Sequence, residues 1–169
     1  MPNCHPVPKL WLISDQRNDA VLARALKRLP RGSGFVFRHY HLPPAPRRAR
    51  YDALRRICRA RGIAVILAGS RAEARVWRAD GSYGPGGTLQ AAHSLRELRR
   101  TRRAAAVLLS PVHPTRSHPG AEALGTVRFL LLAARSPVPV IALGGMTKRR
   151  AARLPNHGWA AIDGLSMTE

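Results

Sequence analysis

Eight short apolar runs separated by helical patterns constrain the fold of this 169-residue chain more than any other feature of its sequence. Between most of the runs, apolar residues recur every three or four positions, which is typical of an amphipathic helix. Strands that alternate with helices build a parallel sheet, which leaves a (β/α)₈ barrel or an open doubly wound sheet. The runs span residues 10–14, 34–40, 63–67, 79–83, 89–92, 104–109, 138–143 and 159–162.

The barrel is favoured because the strand patterns number eight and because the most polar loops follow strand ends, where a barrel keeps its site. The chain is short for this fold, which typically needs at least about 200 residues. The glycine-rich stretch 84–87 stands where the fourth helix belongs, and little chain follows the eighth run. We therefore predict one α/β domain over residues 1–169, a TIM barrel whose fourth and eighth helices are short or missing. We expect a partner surface, such as a second copy in a homodimer, to cover these gaps.

The chain is strongly basic, with 29 Lys and Arg against 9 Asp and Glu and a net charge of +20. Such a charge attracts polyanions. Aromatic residues make up only 5% of the chain, so there is no interleaved platform on which bases would stack, and no nucleic-acid-binding motif is present. We interpret the arginines as solvated helix faces whose field steers phosphorylated small molecules, and the sequence argues against nucleic acid as the partner.

The sequence also bears on compartment. No run of about 18 apolar residues that would cross a membrane is present, and the first residues lack the apolar centre of a signal peptide. Cys4 and Cys58 are far apart and form no CxxC motif, so neither a disulfide framework nor a zinc site is indicated. We expect a cytoplasmic protein with no membrane association.

Two loops after the sixth and seventh apolar runs carry the most chemistry. The segment 110–120 reads Ser-Pro-Val-His-Pro-Thr-Arg-Ser-His-Pro-Gly, and the segment 142–146 reads Ala-Leu-Gly-Gly-Met. Parallel neighbouring strands end at the same edge, so hydroxyls, backbone N–H groups and a helix N-terminus near Thr147 would surround one anionic group. The residues of interest are the hydroxyls Thr115 and Ser117, the imidazoles His113 and His118, and the diglycine Gly144 and Gly145.

This pair of loops resembles the thiamine phosphate synthase and thiazole tautomerase (TenI) family, in which a Gly-Pro-Val-Phe-Pro-Thr-x-Ser-Lys-Pro-Gly loop and an Ile-Gly-Gly-Ile loop hold a thiazole phosphate. The resemblance covers roughly residues 10–165 and includes Phe37-Arg38, Ala79-Asp80-Gly81 and Ala92-His93-Ser94. The sequence of the two loops is most similar to that of the TenI-like domain found fused to Nudix hydrolases, although the Nudix part is missing here. The resemblance implies a protein of thiamine biosynthesis with the TIM barrel fold.

The ligands for magnesium and diphosphate that the resemblance implies are largely absent. Synthases carry an Asn-Asp pair after strand three and an Asp after strand four, where this chain has Ala68-Gly69 and residues 84–87. Magnesium needs carboxylate oxygens, so we expect no cofactor. Of the Gln-x-Arg-x-Lys after strand two in the family, Arg38 alone remains as a contact for diphosphate.

Three further positions bear on the site. His118 replaces the lysine of the family loop and is charged only in part at neutral pH. Asp163 takes a position where synthases place a phosphate-binding serine, and its carboxylate would repel a phosphate unless a cation pairs with it. His113 lies two residues beyond Pro111, where tautomerases carry a catalytic histidine. Residues i and i+2 of a strand face the same side, so His113 would point into the barrel mouth as an acid or base.

Three functions follow from these observations. The first is a synthase that joins an aminopyrimidine to thiazole phosphate, and the missing magnesium ligands count against it. The second is a tautomerase-like acid/base enzyme that uses His113 or His118 on a related heterocycle. The third is a non-catalytic, anion-binding protein that kept the fold. In each case a phosphorylated small molecule is the partner, and its predicted contacts are Arg38, Thr115, Ser117, Gly144, Gly145 and Asp163.

Overall fold

The computed structural model describes residues 6–116, 119–120, 122–154 and 157–165. Eight parallel strands close into a barrel, each paired with the next in sequence and the eighth with the first. This confirms the predicted barrel and excludes the open sheet. The strands are β1 (Leu10–Ile13), β2 (Gly34–Phe37), β3 (Ala64–Ala68), β4 (Gly81–Tyr83), β5 (Leu89–Ala92), β6 (Ala106–Leu109), β7 (Val140–Ala142) and β8 (Gly158–Ala161).

The helical shell is uneven. No helix lies between β4 and β5, and the described residues after β8, which end at 165, contain none. A 3-10 helix (Gln16–Val21) follows β1. The α-helices are α1 (Leu22–Arg28), α2 (Pro44–Arg61), α3 (Arg71–Val76), α4 (Leu95–Leu98), α5 (Gly125–Ala133) and α6 (Lys148–Ala151). The sequence pattern predicts this second helix from Ala49 to Arg61, and α2 begins earlier, at Pro44, because proline fits the first helical position, where no N–H is needed. In the part of the chain that the structure describes, no helix is long and apolar enough to span a membrane.

Inward side chains from all parts of the barrel fill its interior. Gly34 on β2 leaves room for the ring of Trp11 on β1, since a Cβ there would lie 2.2 Å from that ring. The outward side chains pack under the helices in two clusters, one beneath α1–α3 and one beneath α4–α6. The interior cluster contains Trp11, Ile13, Val36, Ile66, Leu89, Ala106, Leu108, Ile141, Ala160 and Ile162.

A glycine turn takes the place of the fourth helix. The N–H of Gly87 donates to the carbonyl of Gly84 at 2.9 Å. A Cβ on Gly87 would lie 2.7 Å from the carbonyl oxygen of Ser82, so the turn packs directly on β4. A cleft of about 610 Å³ remains beside α3, near the amino ends of β4 to β6. We still predict that a second copy covers the side of the barrel that lacks the fourth helix.

Candidate functional site

The loops that follow β6 and β7 are joined side by side at the carboxyl end of the barrel. The N–H of Val112 donates to the carbonyl of Leu143 at 2.9 Å, and the N–H of His113 donates to that of Gly144 at 3.1 Å. These bonds continue the contact between the two strands beyond their ends. The structure therefore brings together the two segments singled out in the sequence.

Gly144 and Gly145 permit this close approach. Their φ angles of +99° and +58° lie in the left-handed region that favours glycine. A Cβ on Gly144 would lie 2.7 Å from the Cα of Pro111, and one on Gly145 would lie 2.5 Å from the carbonyl oxygen of Pro114. A side chain at either position would therefore displace the neighbouring loop.

Two backbone N–H groups of the loop after β7, those of Gly145 and Met146, donate to none of the residues that the structure describes. The loop after β8 closes over the same place, since a Cβ on Gly164 would lie 2.5 Å from the carbonyl oxygen of Met146. Thr115 is half-buried in the neighbouring loop after β6. N–H donors of this kind beside a hydroxyl can bind an anion.

The helix after β7 is shorter than predicted. The pattern predicted a helix from Thr147 to Leu154, but α6 is a single turn, in which Oγ1 of Thr147 accepts the N–H of Arg150 at 3.3 Å. A proline follows Leu154 and disfavours helical geometry before it. One turn sums few peptide dipoles, so α6 adds little to the positive potential. That potential comes from side chains instead, including Arg150, which donates to the carbonyl of Gly145.

Asp163 is paired with a cation. Its Oδ2 lies 3.3 Å from Nη1 of Arg17, whose Nε lies 2.9 Å from Oδ1 of Asp15. Arg17 thereby bridges two carboxylates at the ends of β1 and β8. Burial would raise the pKa of Asp15, but hydrogen bonds from the side chain and the backbone N–H of Arg17 hold it below its ordinary value. An anion near Asp163 would meet a carboxylate whose charge is already offset.

Asn18 anchors the turn that carries Arg17 to the same two strand ends. Its side-chain amide donates to the carbonyls of Ile13 and Ile162, each at 3.0 Å. Its Oδ1 accepts the N–H of Asp15 at 2.9 Å, which completes a capping box at the start of the 3-10 helix. The Asp-x-x-Asn pattern after the first apolar run is the sequence signal for this turn, and it was not among the predicted site residues.

Arg38 lies at the barrel mouth. It continues the inward side of β2, on which it alternates with Gly34 and Val36. It is half-buried, and its guanidinium carbon lies 5.8 Å from the ring centre of Tyr40. Burial raises the pKa of Tyr83 on β4, and the positive charge of Arg38 partly opposes that rise. Arg38 is therefore placed to meet an anion that enters the mouth.

A buried hydrogen-bond network beside Arg38 was missed in the sequence. Nδ1 of His39 lies 2.8 Å from Oγ of Ser14, and Nε2 lies 2.8 Å from Oδ1 of Asp19. Oγ of Ser14 also accepts the backbone N–H of Arg38 at 2.7 Å. The order Ser-His-Asp resembles a hydrolase triad. However, Ser14 is 0% exposed and His39 stacks on Phe37 in the cluster outside the barrel. The network holds the backbone of Arg38 rather than touching a substrate.

The same network ends β2 early. The strand stops at Phe37 rather than at Tyr40 as predicted, because His39 adopts a φ of +41° outside strand geometry. Burial lowers the pKa of His39. The hydrogen bond to Asp19 and its negative charge raise the pKa again, but not to its ordinary value. The neutral imidazole then donates from Nε2 to Asp19 and accepts the hydroxyl of Ser14 at Nδ1.

His93 places an imidazole at the mouth. Its Nδ1 lies 2.8 Å from the carbonyl oxygen of Ser110, so Nδ1 carries the proton in the neutral ring and Nε2 is the basic nitrogen. His93 is exposed, and it follows the exposed Ala91 on the inward side of β5. In the sequence His93 stood out only as part of a motif that matches the family.

That His113 points into the mouth stays a prediction. Residues 111–113 are not in a strand, so the alternation of side chains along a strand does not by itself aim His113. His113 lies against the loop after β7, where a Cβ on Gly145 would be 3.0 Å from its own. Burial lowers the pKa of His113, as do the charges of Arg150 and Arg153. Two other predicted residues, Ser117 and His118, lie outside the described residues.

The residues after β3 and β4 do not fit a magnesium diphosphate site. A Cβ on Gly69 would overlap the carboxylate of Glu73, which Arg47 holds at 2.9 Å. Arg47 also donates to the carbonyl of Ala68 at 2.8 Å. The turn 84–87 brings no side-chain oxygen after β4. Over the described ranges, no group of three or more His, Cys, Asp and Glu is placed to hold a metal.

Comparison with known proteins agrees with this architecture. The family model described as thiamine monophosphate synthase matches residues 86–167. The solved structure of a thiamine phosphate pyrophosphorylase from Pyrococcus furiosus is similar, with a TM-score of 0.78 and 20% sequence identity, over 94% of this chain and 87% of that chain. At this identity the structural likeness shows the shared fold. No curated protein matches this chain.

Proposed function

We propose that this chain, as a member of the thiamine phosphate synthase/TenI family, binds a thiazole phosphate or a similar phosphorylated heterocycle. The ligand would lie at the carboxyl end of the barrel. One observation carries this proposal. The N–H groups of Gly145 and Met146, which have no acceptor among the described residues, lie in a loop fixed by its neighbours. Loops after the seventh and eighth strands are frequent phosphate sites in this fold.

The phosphate would accept these two N–H groups and the hydroxyl of Thr115. Hydrogen bonds to a charged group contribute about 1.5–3 kcal/mol each. A carboxylate about 4 Å away costs roughly 4 kcal/mol at an effective dielectric constant of about 20. Asp163 brings such a charge, and its ion pair with Arg17 offsets part of the cost. We expect weak rather than tight binding of phosphate alone.

The heterocycle would lie over the open mouth. Arg38, Tyr83 and Ala91 continue the inward sides of β2, β4 and β5, and Ala91 is exposed. Arg38 supplies a positive charge for a second anionic group or for a ring carboxylate. The missing magnesium ligands argue against synthase chemistry, in which that guanidinium would hold diphosphate.

A second function, proton transfer on the bound heterocycle as in a tautomerase, is favoured by His93. Its fixed tautomer presents Nε2 as a base at the mouth. His113, half-buried with a lowered pKa, is a neutral base at the edge of the phosphate site. Either imidazole would remove a proton from a ring carbon and return it elsewhere on the ring.

Calorimetric titration with thiazole phosphate and with its unphosphorylated alcohol tests the binding proposal. We expect roughly tenfold tighter binding of the phosphate ester, and equal affinities would refute the proposal. Proton exchange on the bound ring, followed by NMR in D₂O, separates an enzyme from a binding protein. His93→Gln should slow such exchange while leaving the affinity unchanged.

A further inference from the structure

The outer side of α5 is apolar. On its inner side, Phe129 and Ala133 are 0% and 7% exposed and pack into the core. On its outer side, Val127, Leu131 and Leu130 are 73%, 64% and 37% exposed. Arg128, whose Nη1 lies 3.5 Å from Oε1 of Glu122, is the charged residue within α5. An outer helix face this apolar is normally covered by another surface. The α5 stripe is the set of outward apolar residues spaced i, i+3, i+4 and i+7, namely Val127, Leu130, Leu131 and Ala134.

Exposed cations flank the α5 stripe on both sides. Residues 95–103 contain five arginines and one acid, Glu97, which accepts the N–H of His93. Residues 148–153 contain four cations and no acid. All nine cations are exposed, and none forms an ion pair with a described residue. In the closed barrel α4 precedes β6 and α6 follows β7, so these segments lie on either side of α5, which connects those two strands.

We propose that this face docks an acidic partner protein through an amphipathic helix. The α5 stripe has the spacing of a helix–helix seam, and the flanking cations take the places where such seams carry charges. A partner helix with leucines on its seam and Asp or Glu beside it would bury the stripe. It would also pair the cations, which steers association and fixes the orientation. This inference is independent of the ligand bound in the barrel.

A second copy of this chain fits the face poorly. A two-fold interface places the same patch of both subunits together. Such a dimer would bring the nine cations of one copy against the nine of the other, within chains that each carry a net charge of +20. The like charges would oppose the gain from burying the stripe.

A membrane or a nucleic acid fits less well than a protein helix. Helices that lie in a membrane surface bury aromatic and leucine side chains along most of their length. α5 has nine residues, and its outward stripe has no aromatic member. A nucleic acid would pair with the cations but would leave the apolar stripe between them uncovered.

Fluorescence anisotropy with a designed peptide tests the proposal on the full chain. The probe is a labelled helix of about three heptads with leucine at the seam and glutamate beside it, and a scrambled peptide of equal composition is its control. We expect the ordered peptide to bind roughly tenfold tighter than the scrambled one. Val127→Glu should remove that difference. Val76→Glu, an equal charge change at a valine that is 72% exposed on α3, should leave it intact.

Four results would overturn the proposal. The first is equal binding of both peptides, which would show attraction by charge alone. The second is no binding of either peptide. The third is a dimer in light scattering that Val127→Glu dissociates. The fourth is capture by phosphatidylserine vesicles or duplex DNA that is lost in Val127→Glu and kept in Val76→Glu. Circular dichroism melts of both variants confirm that they are folded.

Discussion

Arg17 lies between Asp15 and Asp163, at 2.9 Å and 3.3 Å from their carboxylate oxygens. The arrangement joins the first strand of the barrel to the last, and it lies beside the phosphate site that we propose. Asp163 alone would repel a phosphate, while Arg17 next to it supplies the cation that offsets its charge. We therefore expect the affinity of the proposed site for phosphate to depend on this ion pair.

Replacement of Arg17 by Gln should weaken binding of inorganic phosphate. The substitution leaves Asp163 and Asp15 without their shared cation, so we expect a loss of roughly tenfold, equivalent to about 1.4 kcal/mol. Calorimetric titration checks this. Arg24→Gln on the exposed side of α1 makes the same charge change away from the mouth and should have little effect. Equal losses in both variants would mean that only the general positive field matters.

Gly145→Ala should destabilise the protein more than Gly32→Ala. Both glycines have positive φ, so both substitutions carry backbone strain. Only at Gly145 does the added Cβ meet another loop, 2.5 Å from the carbonyl oxygen of Pro114, whereas nothing lies within 4 Å at Gly32. We expect an additional loss of about 1–3 kcal/mol in the free energy of unfolding, measured in urea. Equal losses would show that the two loops are not packed together as described.

The neutral, buried His39 should make stability depend on pH. Its pKa is below the ordinary 6.5 in the folded state, so the unfolded chain binds more protons between the two values. The free energy of unfolding should then rise with pH up to about 6.5 and level off above it. Burial would raise the pKa of Asp19, but hydrogen bonds from His39 and Arg50 lower it. The contribution of Asp19 to stability is therefore lost only in more acidic solution.

His39→Asn tests this dependence, because asparagine tolerates positive φ. The variant should be less stable than the wild type near neutral pH, and the difference should shrink as the pH falls below about 6.5. Urea unfolding across that range measures it. A difference that stays constant with pH would place the titrating group elsewhere.

Purified protein with magnesium should form little or no thiamine phosphate from aminopyrimidine diphosphate and thiazole phosphate. After β3 and β4 the chain places Gly69 and a glycine turn where metal ligands are needed, and Arg47 holds the carboxylate of Glu73. A fluorescence assay of the thiochrome product checks this, with a known synthase as the positive control. A turnover of roughly 1 per second or more, within the usual enzyme range, would contradict the interpretation of the missing ligands.

The apolar runs of the sequence were enough to find all eight strands, because strands that are buried on both faces are continuously apolar. The sequence also indicated the missing helix, since Gly-Pro-Gly-Gly at 84–87 cannot continue a helical pattern. The predicted length of α6 and the predicted end of β2 were wrong. β2 ends where Ser14 and Asp19 hold His39, and these contacts join residues that are distant in sequence.

The candidate site, like the fold, could be predicted from the sequence only in part. The two loops around Thr115 and Gly145 could be brought together from sequence, because neighbouring parallel strands end at one edge. The partner of Asp163 could not be found, since Arg17 lies at the other end of the chain and meets it only when the barrel closes. The tautomer of His93 likewise depends on a carbonyl in another loop.

Titration of inorganic phosphate into the wild type and Asp163→Ser tests the central claim most directly. Removing the carboxylate deletes a negative charge beside the proposed site and leaves Arg17 paired with Asp15 alone, so we predict binding tighter by roughly tenfold. Thr115→Ala, measured in the same way, should weaken binding. Unchanged affinity in Asp163→Ser would show that phosphate does not bind between the loops after β6, β7 and β8.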